Sequence, residues 1–356
     1  MKNNQPTIEH RRLEAQRQGE ENWQLWGPYL AERAWGTVRE DYSADGKAWE
    51  HFTHDQSRSR AYRWNEDGLG GICDKEQRLC FSLALWNGCD PILKERAFGL
   101  SGNEGNHGED VKEAYFYLDA TPTHSYLHYR YKYPQSPFPY HQLVQENSRR
   151  SRQEPPFQLN DCDVFNENRY FDIDVIYAKS SPETILCRIS ITNRGQQTAS
   201  LHLLPILWFR NTWSWGYGSQ RPQLIAGDQT GDMAWSIEGY CSGLGTYRLY
   251  GRKPAQLLFT ENDSNSEKLW GQPNKSPYVK DAFHRAVIEG EQQAVNPAKQ
   301  GSKSAARHQL VIESGAEEII DLVLTNGQVE LTQAGCDAIF KQRCHEADQF
   351  YQSLLG

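Results

Sequence analysis

Three runs in the middle of the chain constrain its fold most. In Tyr170 to Ala178, Phe171, Ile173, Val175 and Tyr177 fall on one face of an extended chain, while Asp172 and Asp174 fall on the other. Thr184 to Asn193 repeats the pattern with Ile185, Cys187, Ile189 and Ile191, then closes on the turn signal Asn193-Arg194-Gly195. Ser200 to Arg210 continues with LHLLPILWFR. Side chains of a strand alternate between faces, so each run can bury one face and solvate the other. At this spacing, with turn residues between the runs, the pattern predicts antiparallel sheets stacked as a sandwich. Further strands are expected at Met233 to Glu238, Thr246 to Tyr250, Gln256 to Thr260, Arg307 to Ile312 and Glu317 to Leu324. The expected fold class is all-β: a large antiparallel, supersandwich-like β-sandwich with Greek-key-like connections and helices only at the termini.

The ends of the chain differ from this middle. Residues 1–22 are polar, and a solvated arm or short helix is expected there. Trp23, Trp26 and Trp35 would tie that arm to the body through their large apolar faces. At the other end Cys336, Ile339, Phe340, Cys344, Ala347, Phe350, Tyr351 and Leu354 recur at three- and four-residue steps. That is an amphipathic helix, whose stripe must dock on the sandwich or on another body. The expected organisation is an arm over 1–22, a sandwich over 23–330 and a linker helix over 331–356. Lys132 to Asp161 and Glu261 to Lys303 read as long polar connections, and Asp67-Gly68 and Gly70-Gly71 as turns.

The stretch with most chemical character runs from Lys94 to Tyr140. A Gly/Asn-rich loop, Gly99 to Gly108, leads into an acidic cluster of Glu104, Glu109, Asp110 and Glu113 around His107. Two strand-like runs follow, Val111 to Leu118 and His124 to Tyr133, joined by a turn at Asp119 to Pro122. Carboxylates, an imidazole and many tyrosines beside a glycine-rich loop suit a hydroxyl-rich ligand. A loop of this composition is equally compatible with a solvated turn. Trp213 and Trp215, in NTWSWGYG, occupy alternate positions beyond a strand; they could stack on a sugar ring or simply pack.

Composition excludes some classes. A net charge of −8 disfavours a nucleic-acid or anionic-membrane binder, because both need a cationic surface. Eight cysteines show no C-x-x-C pair and no zinc spacing, and several sit at apolar strand or helix positions as small hydrophobes. No signal peptide or apolar span is seen, so a reduced, cytoplasmic chain is expected. No metal or other cofactor is expected: a lone loop histidine such as His107 is more often a hydrogen-bonding residue than a ligand.

Four blocks carry a resemblance: LWGPYLAERAWGTVREDYS (Leu25 to Ser43), RAYRWNEDGLGGI (Arg60 to Ile72), GNEGNHGEDVKEAYFYLDATPTHSYLHYRYKYP (Gly102 to Pro134) and LPILWFRNTWSWG (Leu204 to Gly216). Together, over roughly Glu21 to Leu354, the chain resembles the N-terminal region of bacterial glycoside hydrolase family 63 enzymes, relatives of processing α-glucosidase I. The resemblance implies an N-terminal β-sandwich followed by an (α/α)6 barrel. In the family that barrel carries the Asp and Glu of an inverting α-glucosidic hydrolysis. No catalytic residue is therefore carried over to this sequence. The implied partners are such a barrel, in cis or in trans, and an oligosaccharide. Under this reading Glu104, His107, Glu109, Asp110, Glu113, Trp213 and Trp215 line a domain interface and the rim of a sugar cleft. The alternative is an independent carbohydrate-binding module using Trp213, Trp215 and the tyrosines of Tyr115 to Tyr133. Catalysis by the chain alone is disfavoured by geometry. Glu109 and Glu113, if on one strand, stand ~13 Å apart, whereas inversion needs carboxyl groups roughly 6.5–9.5 Å apart.

Overall fold

A computed structural model describes residues 6–35, 53–62, 66–100, 110–151, 153–216, 220–328 and 332–355. The alternating runs form two facing antiparallel sheets. One has six strands in the order β1 (Trp26–Tyr29), β2 (Leu69–Asp74), β3 (Leu79–Trp86), β10 (Ala199–Phe209), β16 (Lys303–Ile312) and β14 (Gln256–Thr260). The other has nine: β15 (Gln300–Gly301), β11 (Gln223–Gly227), β12 (Trp235–Cys241), β13 (Gly245–Gly251), β17 (Glu317–Thr325), β9 (Thr184–Asn193), β8 (Tyr170–Ser181), β7 (Tyr126–Pro134) and β6 (Tyr115–Ala120). β4 (Gly99–Leu100) and β5 (Asp110–Val111) pair separately. Hairpins such as β8–β9 are local, whereas β10, β16 and β17 are inserted between strands distant in sequence, as in Greek-key connections. The all-β sandwich is the observed fold.

Its core is the inner faces of the two sheets. Phe171, Ile173, Val175 and Tyr177 of β8 and Ile185, Cys187, Ile189 and Ile191 of β9 meet Phe81, Leu83 and Leu85 of β3 and Leu203, Leu207 and Phe209 of β10. Asp172 and Asp174 point to the other face, where Lys132, Arg194, Arg130 and His128 hold them. The period-2 reading therefore translates directly into packing.

Several local expectations need correction. Gly70 and Gly71 do not turn the chain; they lie inside β2 at an irregularity in its pairing with β3. Gly70 has φ of +58°, and a Cβ there would come within 2.9 Å of the Tyr129 ring. Its carbonyl accepts from the Tyr177 hydroxyl at 2.7 Å, so the glycine lets the backbone approach two aromatic side chains. A short helix, α2 (His54–Ser57), precedes β2, and the connection from Lys132 to Asp161 contains α3 (Tyr140–Ser148). It packs with Phe98, Leu100, Phe138, Phe157 and Leu159 in a satellite cluster. The polar stretch from Glu261 to Lys303 contains α4 (Ser266–Trp270) and α5 (Ala282–Val287); α5 covers the outer face of the six-stranded sheet with Phe283 and Val287. Helices are thus not confined to the termini.

Of the two forms expected for the N-terminal arm, the short helix is the one observed, and it is anchored on one side. The helix is α1 (Ile8–Gln18), begun by a capping box between Thr7 and His10 and ended at Gly19 in the left-handed conformation. Its Glu9 and Arg12 are buried against α6 (Gln333–Leu355). Arg12 pairs with Glu9 and Glu346, and Arg343 pairs with Glu346 at 2.8 Å. Glu9 also accepts from Thr123 and Ser125. Lys179, on β8, donates to the carbonyls of Trp23 and Trp26 and so fastens the arm. The apolar stripe of α6 is buried from Cys336 to Phe350, against residues such as Tyr126, Ala178 and Leu186, and then emerges with Leu354 at 61% and Leu355 at 87% exposure.

Candidate functional site

Of the residues singled out by sequence, Glu104, His107 and Glu109 lie outside the described residues. Asp110 opens β5 and pairs with Lys112 at 2.7 Å. Glu113 does not continue a strand from Val111, because the chain breaks between β5 and β6 and turns this carboxylate inward. It accepts from Lys94 Nζ, the Phe98 backbone N–H and the Tyr131 hydroxyl, each at 2.7 Å. The side chains of Glu113 and Lys94 are 0% and 1% exposed, and the ammonium lies 3.6 Å from the Phe138 ring centre. Burial pushes the Glu113 carboxyl up, with Lys94 opposing. The nearby tyrosines are committed to the interior: Tyr131 to Glu113, and Tyr133 and Tyr140 to Asp90. Asp110 and Glu113 therefore sit a few residues apart but belong to separate ion pairs.

Trp213 and Trp215 do not extend a strand. β10 ends at Phe209, and both rings belong to a 3-10 turn over Trp213–Trp215. At three residues per turn, positions two apart diverge by about 120° instead of pointing the same way. Trp213 donates to Asp263 at 2.8 Å and has Arg221 over its ring. The sugar-stacking platform expected from alternation is not formed by this spacing.

The sequence reading missed a second cluster, on the outer face of the six-stranded sheet. Glu66, Asp67, Glu95, Arg96, Lys280 and Lys303 are all 2–5% exposed there, beneath the cover that includes α5. Lys303 bonds Glu95 at 3.0 Å, Arg96 lies between Glu95 at 3.3 Å and Asp67 at 3.5 Å, and Lys280 donates to the Arg60 carbonyl over the Tyr62 ring. Such a cluster holds together only because opposite charges and hydrogen bonds offset the desolvation of each. Burial pushes Glu66 up to about 7, and burial and Arg96 push Lys280 down to about 7. Glu95 stays below the usual carboxylate range, because Lys303 and Arg96 outweigh its burial. Groups poised this way often mark reactive sites. Here, however, the cavity among them is about 20 Å3, room for one water. A faint sequence signal existed: Lys303 sits two residues before the apolar Ala305 on the face that meets the cover.

The titration of Glu66 gives a test. A carboxyl whose folded-state pKa is raised costs stability as pH rises from its unfolded value through its folded one. Glu66→Gln removes that dependence. Relative to the unaltered chain, it is expected to gain about 1–3 kcal/mol between pH 5 and pH 8. Urea midpoints at the two pH values read this; a flat or opposite trend would mean that Glu66 is ionised throughout.

Among the described residues no group of three or more His, Cys, Asp and Glu side chains is placed to hold a metal ion, and no helix is long and apolar enough to cross a membrane. All eight cysteines are free thiols.

No family model matches the chain. It is 39% identical over 387 aligned residues to the uncharacterized protein YMR196W of Saccharomyces cerevisiae, an alignment that takes in 97% of this chain and 36% of that protein. The chain thus spans little more than a third of the length of the curated relative it matches. Among solved structures it overlaps a polysaccharide lyase, BACCELL_00875, with a TM-score of 0.31 and 9% identity over 76% of this chain and 28% of the other. A galactose mutarotase related enzyme from Lactobacillus acidophilus overlaps with a TM-score of 0.27 and 8% identity over 76% and 93%. Overlaps this loose carry no conclusion about function.

Proposed function

We propose that this chain is an accessory β-sandwich domain, not catalytic alone, that works within a longer carbohydrate-processing polypeptide of the family 63 α-glucosidase kind. The observation that supports the non-catalytic reading is that two carboxylate clusters among the described residues, one around Glu113 and one around Glu66, are sealed. Inverting hydrolysis needs two carboxyl groups with a sugar and a water between them, roughly 6.5–9.5 Å apart. Glu113 is enclosed by Lys94 and Tyr131, and the cavity beside Glu66, Asp67 and Glu95 is about 20 Å3. A pyranose ring does not enter such a space. The family reading rests on the four sequence blocks, and the 36% span of the yeast relative is compatible with a domain of a larger protein. In this role the acidic loop that leads into Asp110 would face a barrel and rim its sugar cleft.

One observation favours an independent carbohydrate-binding module instead: α6 buries its own stripe as far as Phe350, as a self-sufficient fold would. The exposed Leu354 and Leu355 favour the accessory role.

The deciding experiment assays α-linked gluco-disaccharides with this chain and, separately, with the intact yeast relative. The expected result is turnover by the intact relative, with inversion at the anomeric carbon, and none by this chain. Turnover by this chain alone would overturn the accessory reading. An inactive intact relative would overturn the family 63 reading.

A further inference from the structure

An open cleft lies away from both buried clusters. It has a volume of about 840 Å3 and opens where the turn after β2 and the exit of β10 meet β11 and β12. That is within the usual size range of small-molecule sites. Its sheet wall is the outward face of β11 and β12, since Leu224 and Ile237 of the same strands point into the core. Cross-strand register sets Gln223 beside Tyr240 and Ile225 beside Glu238. Tyr240 is 63% exposed and Ile225 41%, so this wall offers an uncovered aromatic ring and an apolar neighbour.

The opposite wall carries three guanidinium groups, two of them already paired with carboxylates. Arg221 pairs with Asp263 at 2.6 Å and Glu261 at 3.5 Å, Arg78 pairs with Glu76, and Arg210 donates to the Gln77 carbonyl at 3.1 Å. Across from them Glu238 pairs with Arg248. An anionic ligand would have to displace a carboxylate to use Arg221 or Arg78. An uncharged polyhydroxyl ligand meets no such competitor, because each ion pair presents donors and acceptors side by side, matched to vicinal hydroxyls. The apolar face of a pyranose would then lie on Tyr240.

We propose that the cleft bounded by Arg78, Arg210, Arg221, Glu238 and Tyr240 is a binding site for a neutral oligosaccharide. The ligand class agrees with the carbohydrate reading above, but the site does not depend on hydrolysis, so the two fail separately.

The test is calorimetry of the full chain with maltotriose and with a galacturonic acid trimer as probes, alongside Tyr240→Ala, Tyr240→Phe, Gln223→Ala and, away from the cleft, Phe116→Ala. The neutral trimer should bind, with an affinity insensitive to salt. Tyr240→Ala should weaken it about tenfold, the worth of one aromatic contact. Gln223→Ala should weaken it less, while Tyr240→Phe and Phe116→Ala leave it unchanged. Because Tyr240 is mostly exposed, its variants are expected to fold, which far-UV circular dichroism checks. No binding of the neutral trimer at millimolar concentration, preference for the galacturonate, or affinity indifferent to Tyr240→Ala would each overturn the proposal.

Discussion

Glu113→Ala is expected to destabilise the fold by about 3–5 kcal/mol, the cost of leaving one partner of a buried ion pair without the other. The substitution strands the Lys94 ammonium, which is 1% exposed, and deprives the Phe98 N–H and the Tyr131 hydroxyl of their shared acceptor. Lys94 retains its contact with the Phe138 and Tyr140 rings, but this offsets only ~0.5–2 kcal/mol of the loss. The readout is the urea midpoint at unchanged slope. The paired replacement Lys94→Met with Glu113→Leu removes both charges and should recover most of the loss, since apolar substitution of a complete buried pair is often neutral. A single-variant cost under about 1 kcal/mol would show that the pair is solvated in practice and that Glu113 is not a buried anchor.

Arg12→Ala is expected to have a comparable effect, about 3–5 kcal/mol at neutral pH. It leaves Glu9 and Glu346 facing each other at 1% and 8% side-chain exposure, with Arg343 as the only nearby cation among the described ion pairs. The pH dependence separates this mechanism from simple loss of packing. Burial pushes the Glu346 carboxyl up, but its hydrogen bond with Arg12 and the charge of Arg343 outweigh burial and hold it below its ordinary 4.5. A carboxyl with a depressed folded-state pKa contributes stability that is present above the unfolded value and lost as pH falls through the folded one. The penalty of Arg12→Ala should therefore shrink as pH falls below 4.5, because the stranded Glu346 carboxylate becomes neutral. Hydrogen exchange should also show α1 and the α6 residues around Glu346 losing protection before the sheets do. A penalty constant from pH 7 to pH 3.5 would assign the effect to packing of Arg12 against Trp23 instead.

What was legible in the sequence, and what was not, follows from which forces act locally. β8 and β9 were legible because their two faces differ sharply, Ile and Val against Asp and Arg, so periodicity alone reports burial. Gly70 and Gly71 misled because a glycine-bearing irregularity inside a strand carries the same local signal as a turn. α3 escaped notice because its apolar residues are few and its partners, Phe98 and Leu100, come from forty residues away in the chain; tertiary burial supplies what propensity does not. The charged cluster was hidden for a related reason. Lys303 and Glu95 are 208 residues apart, and each alone looks like a surface charge. Trp213 and Trp215 misled through spacing, since alternation says nothing once the strand has ended at Phe209. For the candidate site, Asp110 and Glu113 were picked out by residue type, but the pairing that encloses Glu113 with Lys94 could not be read from spacing.

The contact between α1 and α6 has a consequence for the order of assembly. Arg12 and Glu346 are 334 residues apart. During synthesis the first helix must wait roughly 15–70 s, at typical elongation rates, before its partner exists. Until then Glu9 and Arg12 have each other, the Trp23 ring and the loop at Thr123 and Ser125. Strands such as β3 and β10, or β9 and β17, likewise close only across long loops, which makes folding slow and leaves sheet edges open for the interval. The last helix therefore acts as a clasp: its arrival locks the beginning of the chain to the finished sheet, and a ribosome stalled before residue 346 would release a sandwich with its clasp undone.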